Sequence, residues 1–121
     1  MQIRGVAWLG VRTDRYAVMT AFCRDVLGLR EVHDDGRFGI YDTSEGDRVE
    51  VFGPGAPTGP GQFETNHVVA GFLVDDLAAA TRELAIAGVE LLGGRNDAEH
   101  SSWQHFRAPD GNVYELKEVR A

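Results

Sequence analysis

The sequence Phe22-Cys23-Arg24-Asp25-Val26-Leu27-Gly28-Leu29 ends a segment in which apolar residues recur every three or four positions. This period is typical of one buried face of a helix. The glycine after the last apolar turn indicates the helix end, because glycine adopts the left-handed conformation there without strain. A second segment of this kind ends at Gly88-Val89, 60 residues further on. The spacing predicts two equivalent helices, from residue 14 to about 27 and from 75 to about 87, with Asp14 and Asp75 as caps.

The segments on either side of each helix also match. An apolar run ending in an acidic residue precedes each helix, at 6–14 and at 68–75. Three short segments suited to strands follow each helix, at 29–34, 37–42 and 47–52 and at 90–93, 101–107 and 112–119. Turn residues such as Pro109-Asp110-Gly111 separate them. Each half therefore reads strand-helix-strand-strand-strand, which predicts an α+β fold with a mixed sheet and its helices on one face.

A connector rich in glycine and proline, residues 53–61, lies between the halves. Each half is too short to form a stable separate domain. The expected organisation is one domain over residues 1–121, with module one at about 1–52 and module two at about 62–121.

Composition narrows the possible partners. The 121 residues carry a formal net charge of −7, which disfavours binding to nucleic acid or to an anionic membrane. The sequence has no apolar run long enough for a transmembrane helix, and no secretory leader is expected. Its single cysteine, Cys23, is expected to be buried and unreactive. A cytoplasmic protein is the simplest expectation.

The order of these motifs resembles the vicinal oxygen chelate superfamily, which includes glyoxalase, bleomycin-resistance proteins and extradiol dioxygenases. The resemblance is carried by the helix end at 22–29, by Val49-Glu50-Val51-Phe52, by the entry to the second helix at 71–77, and by the closing segment at 108–116. It implies two βαβββ modules that form a cupped mixed sheet with the helices outside. It also implies a homodimer and a small-molecule ligand.

The resemblance further implies where a metal ion would bind. Family members that use a metal take one ligand from each of the first, fourth, fifth and eighth strands. Those positions fall on Trp8, Glu50, Val69 and Glu115. Tryptophan and valine are not metal ligands, so no cofactor is predicted and a divalent metal is disfavoured. If a metal binds, its ligands would be Glu50 and Glu115, with His67 as a third if a bulge moves it.

Strand alternation predicts what else faces the cup. The expected ligand-binding residues are Trp8, Phe52, His67, Trp103 and His105, and the candidate catalytic residues are Glu50 and Glu115. An aromatic wall of this kind suits a planar or amphipathic organic molecule. In the competing interpretation, Trp8 and Trp103 pack on each other and close the cup. Arg12 is a candidate for relieving the repulsion between the two glutamates.

Three functional hypotheses follow. The first is a small-molecule-binding protein that works by sequestration, as in resistance, or by metal-independent conversion. The second is a metal-dependent, glyoxalase-like lyase or isomerase that uses Glu50 and Glu115. The third is a non-catalytic, dimeric interaction module. The sequence leaves open whether the protein is an enzyme.

Overall fold

The computed structural model describes residues 1–57 and 68–121, which contain eight strands and two helices. The strands are β1 (Gly5–Arg12), β2 (Arg30–Asp34), β3 (Phe38–Asp42), β4 (Arg48–Phe52), β5 (Val68–Leu73), β6 (Glu90–Asp97), β7 (Ser101–Arg107) and β8 (Val113–Val119). The helices are α1 (Tyr16–Ala21), which continues into a π-helical turn (Phe22–Val26), and α2 (Leu77–Ile86). Neither of these helices has the length and apolar character needed to span a membrane.

The strands form one mixed sheet in the order β2-β3-β4-β1-β5-β8-β7-β6. β1 runs parallel to β4 and β5 runs parallel to β8, whereas the other neighbours are antiparallel. Both helices pack on one face. We call the opposite face, which carries Trp8, Glu50 and Glu115, the cup face. The predicted fold class, two βαβββ modules with the helices outside, is confirmed.

The two modules meet where β1 pairs with β5. Leu9 lies opposite Ala70, Trp8 lies opposite Gly71 and Gly10 lies opposite Val69. Gly10 and Gly71 are 61 residues apart, as are Trp8 and Val69. Each module therefore presents the same short pattern to the other, and an approximate two-fold axis passes between Leu9 and Ala70.

Both helices end where the sequence predicts and begin later. Gly28 and Gly88 have φ values of 68° and 81°, in the region that glycine tolerates best. Helix α2 is capped by Asp76, whose Oδ1 accepts from the Ala79 amide at 3.0 Å, so the prediction of Asp75 as the cap is wrong by one residue. Helix α1 has no side-chain cap, so the prediction for Asp14 is wrong as well.

Two apolar clusters hold the helices to the sheet. Beneath α1, the buried residues are Tyr16, Cys23, Tyr41 and Val51. Beneath α2, they are Val74, Leu77, Ala80, Phe106 and Leu116. The thiol of Cys23 is 1% exposed and its burial raises its pKa, as expected of a core cysteine.

Irregular pairing changes two predictions at strand level. Strict alternation along β1 would place Val6 on the cup face with Trp8, but a bulge between the two residues places Val6 opposite Phe72, which packs with the α2 cluster. β6 is longer than predicted, and it continues to Asp97 past a shift of its pairing register with β7 between Leu92 and Asn96. Gln104 stabilises that register shift by donating to the carbonyls of Leu92 and Gly93.

Candidate functional site

The centre of the cup face is a tryptophan bound to a carboxylate. The indole N–H of Trp8 on β1 donates a hydrogen bond to Oε1 of Glu50 on β4. Burial raises the pKa of the Glu50 carboxyl above its ordinary value, and the negative charge of Glu115 adds to this effect. The Trp8 hydrogen bond and the positive charges of Lys117 and Arg48 oppose it. The Glu50 carboxylate therefore already accepts a hydrogen bond from within the chain, from the Trp8 indole N–H.

The second glutamate is paired in the same manner. His105 and Glu115 lie directly opposite each other on β7 and β8, and His105 Nε2 lies 3.0 Å from Glu115 Oε2. Both residues are 5% exposed. A carboxylate that orients an imidazole is a common arrangement for proton transfer. This pair is therefore the acid–base element that the cup offers.

Two glycines make room for the Trp8 ring. A Cβ added at Gly10 would lie 2.5 Å from Cη2 of Trp8, and one added at Gly71 would lie 3.3 Å from its Cβ. The ring packs with Phe52, Val69 and Val113, and it contacts Phe52 edge-on with 6.4 Å between ring centroids. Trp8 is 4% exposed. Its side chain therefore fills the position where the resemblance would place the first metal ligand.

These residues do not fit a metal ion. An indole N–H is a donor only, and a valine side chain has no ligating atom, so two of the four family positions offer no ligand. Over residues 1–57 and 68–121, no group of three histidine, cysteine, aspartate or glutamate side chains is placed to hold a metal. Both glutamates already accept hydrogen bonds from neighbouring side chains. We therefore derive no chemical step through a metal.

The structure separates the other predicted site residues. Phe52 lies beside Trp8, and His105 lies beside Glu115. Trp103 is on the cup face of β7 but is absent from the described cluster around Trp8, and it is only partly buried. The predicted ligand His67 lies outside the described residues. The sequence predicts a single aromatic wall. In the structure the aromatic surface of the cup has two parts, one buried around Trp8 and one more open at Trp103.

Arg12 does not play the role considered for it. It lies opposite Phe52 at the end of β1 and is partly buried, but it makes no ion pair or hydrogen bond with a described residue. The donors beside the glutamates are Trp8 and His105 instead. The His105–Glu115 pair was detectable in the sequence, because each residue lies five positions from Asp110, the centre of the turn that sets the register of the hairpin.

A family profile covers nearly the whole chain. The profile of the Glyoxalase/Bleomycin resistance protein/Dioxygenase superfamily matches residues 5–116. No curated protein sequence matches the chain.

Solved structures with this fold are numerous and distant in sequence. The Mn(II)-bound glyoxalase from Novosphingobium aromaticivorans has a TM-score of 0.77 at 17% identity, and the match covers 98% of this chain but only 40% of that one. Methylmalonyl-CoA epimerase from Mycobacterium tuberculosis has a TM-score of 0.71 at 18% identity, with 98% and 90% covered. A glyoxalase/bleomycin resistance protein/dioxygenase superfamily member from Vibrio splendidus has a TM-score of 0.67 at 19% identity, with 97% and 99% covered. At such identities the likeness shows the fold.

Proposed function

Since the chain belongs to the Glyoxalase/Bleomycin resistance protein/Dioxygenase superfamily, we propose that it binds a small organic molecule in its cup without a metal ion. One observation carries this proposal: Glu50 and Glu115, at the two ligand positions that the sequence retains, accept hydrogen bonds from Trp8 and His105. Metal-free binding agrees with sequestration of the ligand. The His105–Glu115 pair also provides a base for metal-independent conversion.

Metal content tests the first part of the proposal. Protein produced in medium supplemented with Mn, Ni, Zn and Fe and then desalted should hold well under one ion per chain by elemental analysis. The double substitution Trp8→His and Val69→His should gain a tightly bound divalent ion, because it supplies the two missing ligands and releases Glu50. A stoichiometric ion in the unaltered protein that is lost in Glu115→Ala would contradict the proposal.

Ligand binding tests the second part. A library of aromatic compounds should contain members that change the tryptophan fluorescence of the protein in the presence of a chelator. Trp103→Ala should weaken their binding by roughly 1–3 kcal/mol, the range for loss of an aromatic anchor. Leu9→Ala, on the other face of β1, should lower the free energy of unfolding and leave the cup residues in place.

The interaction-module hypothesis has an observation in its favour. Trp8 is 4% exposed and Phe52 is 7% exposed, as in a closed core. Under that hypothesis Trp103→Ala would destabilise the fold as much as Leu9→Ala does, and no library compound would change the fluorescence. The partial burial of Trp103 supports the binding proposal over this one.

We also propose that the protein is a homodimer. Four large apolar side chains of the first helical segment remain 43–70% exposed, namely Val18, Phe22, Val26 and Leu27. Val18, Phe22 and Val26 recur every four residues, as expected for one side of a helical segment, and exposed apolar side chains grouped in this way are typical of an interaction surface. Light scattering should give a dimer mass, and Val26→Glu should lower that mass to a monomer. A monomer mass for the unaltered protein at high concentration would contradict the assembly and leave the binding proposal intact.

A further inference from the structure

Trp103 and Lys117 form a neighbouring pair at the open part of the cup. They lie directly opposite each other on β7 and β8, one pair along from His105 and Glu115. Their side chains share the cup face with that pair, because residues two apart on a strand point the same way. Side chains opposite each other in an antiparallel pair have their Cβ atoms about 4.5–5.5 Å apart. The Trp103 and Lys117 side chains therefore leave the backbone side by side on the cup face.

The polar atoms of this pair are unused by the described part of the chain. The indole N–H of Trp103 and the ammonium of Lys117 make no hydrogen bond there, and Lys117 has no ion pair within 4.0 Å. Both residues are only partly exposed. Neither polar atom is among the buried side-chain atoms that lack a partner, so both are reached by solvent from the cup. A ligand that brings an acceptor can replace the water at both donors.

Arg48 and Arg107, which also lie on the cup face, do have acceptors. The guanidinium of Arg48 binds Asp42 through both carboxylate oxygens, and that of Arg107 binds Glu90 at 3.2 Å. The chain has 19 acidic residues against 12 basic ones, so acceptors are plentiful. Lys117 influences Glu50 only at longer range. Arg12, at the other end of the cup, also lacks an acceptor in the described part of the chain, but it lies opposite Phe52, which has no donor, whereas Lys117 lies opposite the indole N–H donor of Trp103.

The surroundings of the pair are apolar on one side. Leu73 of β5 lies opposite Lys117 and is partly buried on the same face. The flat Trp103 ring and the Leu73 side chain provide apolar surface next to two polar donors. Such a surface suits a molecule with a flat apolar body and one acidic group.

We infer that the molecule bound in the cup is an aromatic organic anion, with its ring against Trp103 and its acidic group on Lys117. This inference rests on the proposed function and specifies its ligand class. Carboxylates and phosphates share the chemistry required, which is a negatively charged oxygen acceptor within reach of the ammonium and the indole N–H. The His105–Glu115 pair would then lie next to the ring.

A matched pair of probes tests the charge requirement. Isothermal titration calorimetry with 1-naphthylacetate and its uncharged amide, 1-naphthylacetamide, should show the anion binding at least about tenfold more tightly, as expected for one charge-assisted hydrogen bond. Lys117→Met should abolish this preference, whereas Arg82→Gln, which removes a positive charge from the exposed surface of α2, should preserve it. Added salt should weaken binding of the anion more than that of the amide.

Each alternative outcome has a distinct meaning. Equal binding of acid and amide would overturn the inference and leave the proposed function standing. Binding of neither probe, nor of benzoate, benzyl phosphate or any other aromatic acid or neutral compound of the library, would overturn both. A preference removed by Arg12→Gln and kept by Lys117→Met would place the anion at the other end of the cup and also overturn the inference. Trp103→Phe should retain part of the affinity, and its circular dichroism spectrum would establish that the fold is intact.

Discussion

Glu50 is the residue at which burial and charge conflict most directly. Its carboxyl is held by the Trp8 indole, yet burial raises its pKa above the ordinary value of 4.5. The native state consequently retains this proton to higher pH than the unfolded chain does. The free energy of unfolding contributed by this group is therefore greatest at low pH and falls as pH rises from about 4.5 through the native pKa.

Glu50→Gln should remove that dependence. Glutamine keeps a carbonyl oxygen for the Trp8 N–H and carries no charge to desolvate. The variant should match the unaltered protein at pH values below the window and be more stable above it. Denaturant unfolding at a series of pH values would measure this, with the exposed turn residue Glu45→Gln as the control. A variant that is less stable above the window would show that the charged form of Glu50 is favoured by contacts that outweigh its burial.

Glycine is required at position 10 because the Trp8 ring lies against it, and not because of the backbone conformation of Gly10. Gly10→Ala should lower the free energy of unfolding by about 1–3 kcal/mol, the usual cost of overpacking, because the new methyl group would collide with the buried Trp8 ring. Gly94→Ala is the matched control, since a Cβ there meets nothing within 4 Å. Thermal unfolding of both variants would check the difference, and equal midpoints would show that the Trp8 ring can move aside.

At the scale of helices, Asp14 and Asp76 precede α1 and α2, but only Asp76 caps its helix through its side chain. Asp76→Ala should cost about 1 kcal/mol, because its side chain caps the first turn of α2. Asp14→Ala should have a much smaller effect, because α1 has no side-chain cap. Denaturant midpoints of the two variants would make the comparison. A loss at Asp14 as large as that at Asp76 would mean that α1 is capped in solution.

Strands and helices differ in how far the sequence predicts them. The strand β7 begins and ends where predicted, because the Asp110-Gly111 turn and the alternation beside it are local signals. Helix ends at glycine are local signals too. The start of α1 and its π-helical turn depend instead on how Cys23 and Tyr16 pack against β3 and β4, which periodicity does not reveal.

The same distinction applies to the candidate site. Alternation predicted that Trp8, Glu50 and Glu115 share the cup face, and the structure brings them together. The hydrogen bond from Trp8 to Glu50 joins residues 42 apart on different strands, so only the β1–β4 register creates it. His67, the third ligand considered for a metal, lies outside the described residues.

At the scale of the whole molecule, we propose that the two modules unfold as one domain. The ladder of hydrogen bonds runs unbroken from β2 to β6 through the β1–β5 pair. A module of about 50 residues buries too little surface to be stable alone. In Trp103→Phe, fluorescence reports Trp8 in module one, and in Trp8→Phe it reports Trp103 in module two. Each signal should coincide with the circular dichroism transition of the same variant, and two separated transitions would contradict the proposal.

The approximate two-fold axis between Leu9 and Ala70 also bears on ancestry. In this antiparallel pair of equivalent strands, Gly71 lies opposite Trp8 and Gly10 lies opposite Val69. Two identical half-length chains would make the same contact with each other. Fusion of such chains frees the halves to diverge while the joint is kept. Trp8 and Val69 now occupy equivalent places with unlike side chains. Duplication followed by divergence would account for the asymmetry of the cup, since a symmetric pair of chains could not place a large ring on one side only.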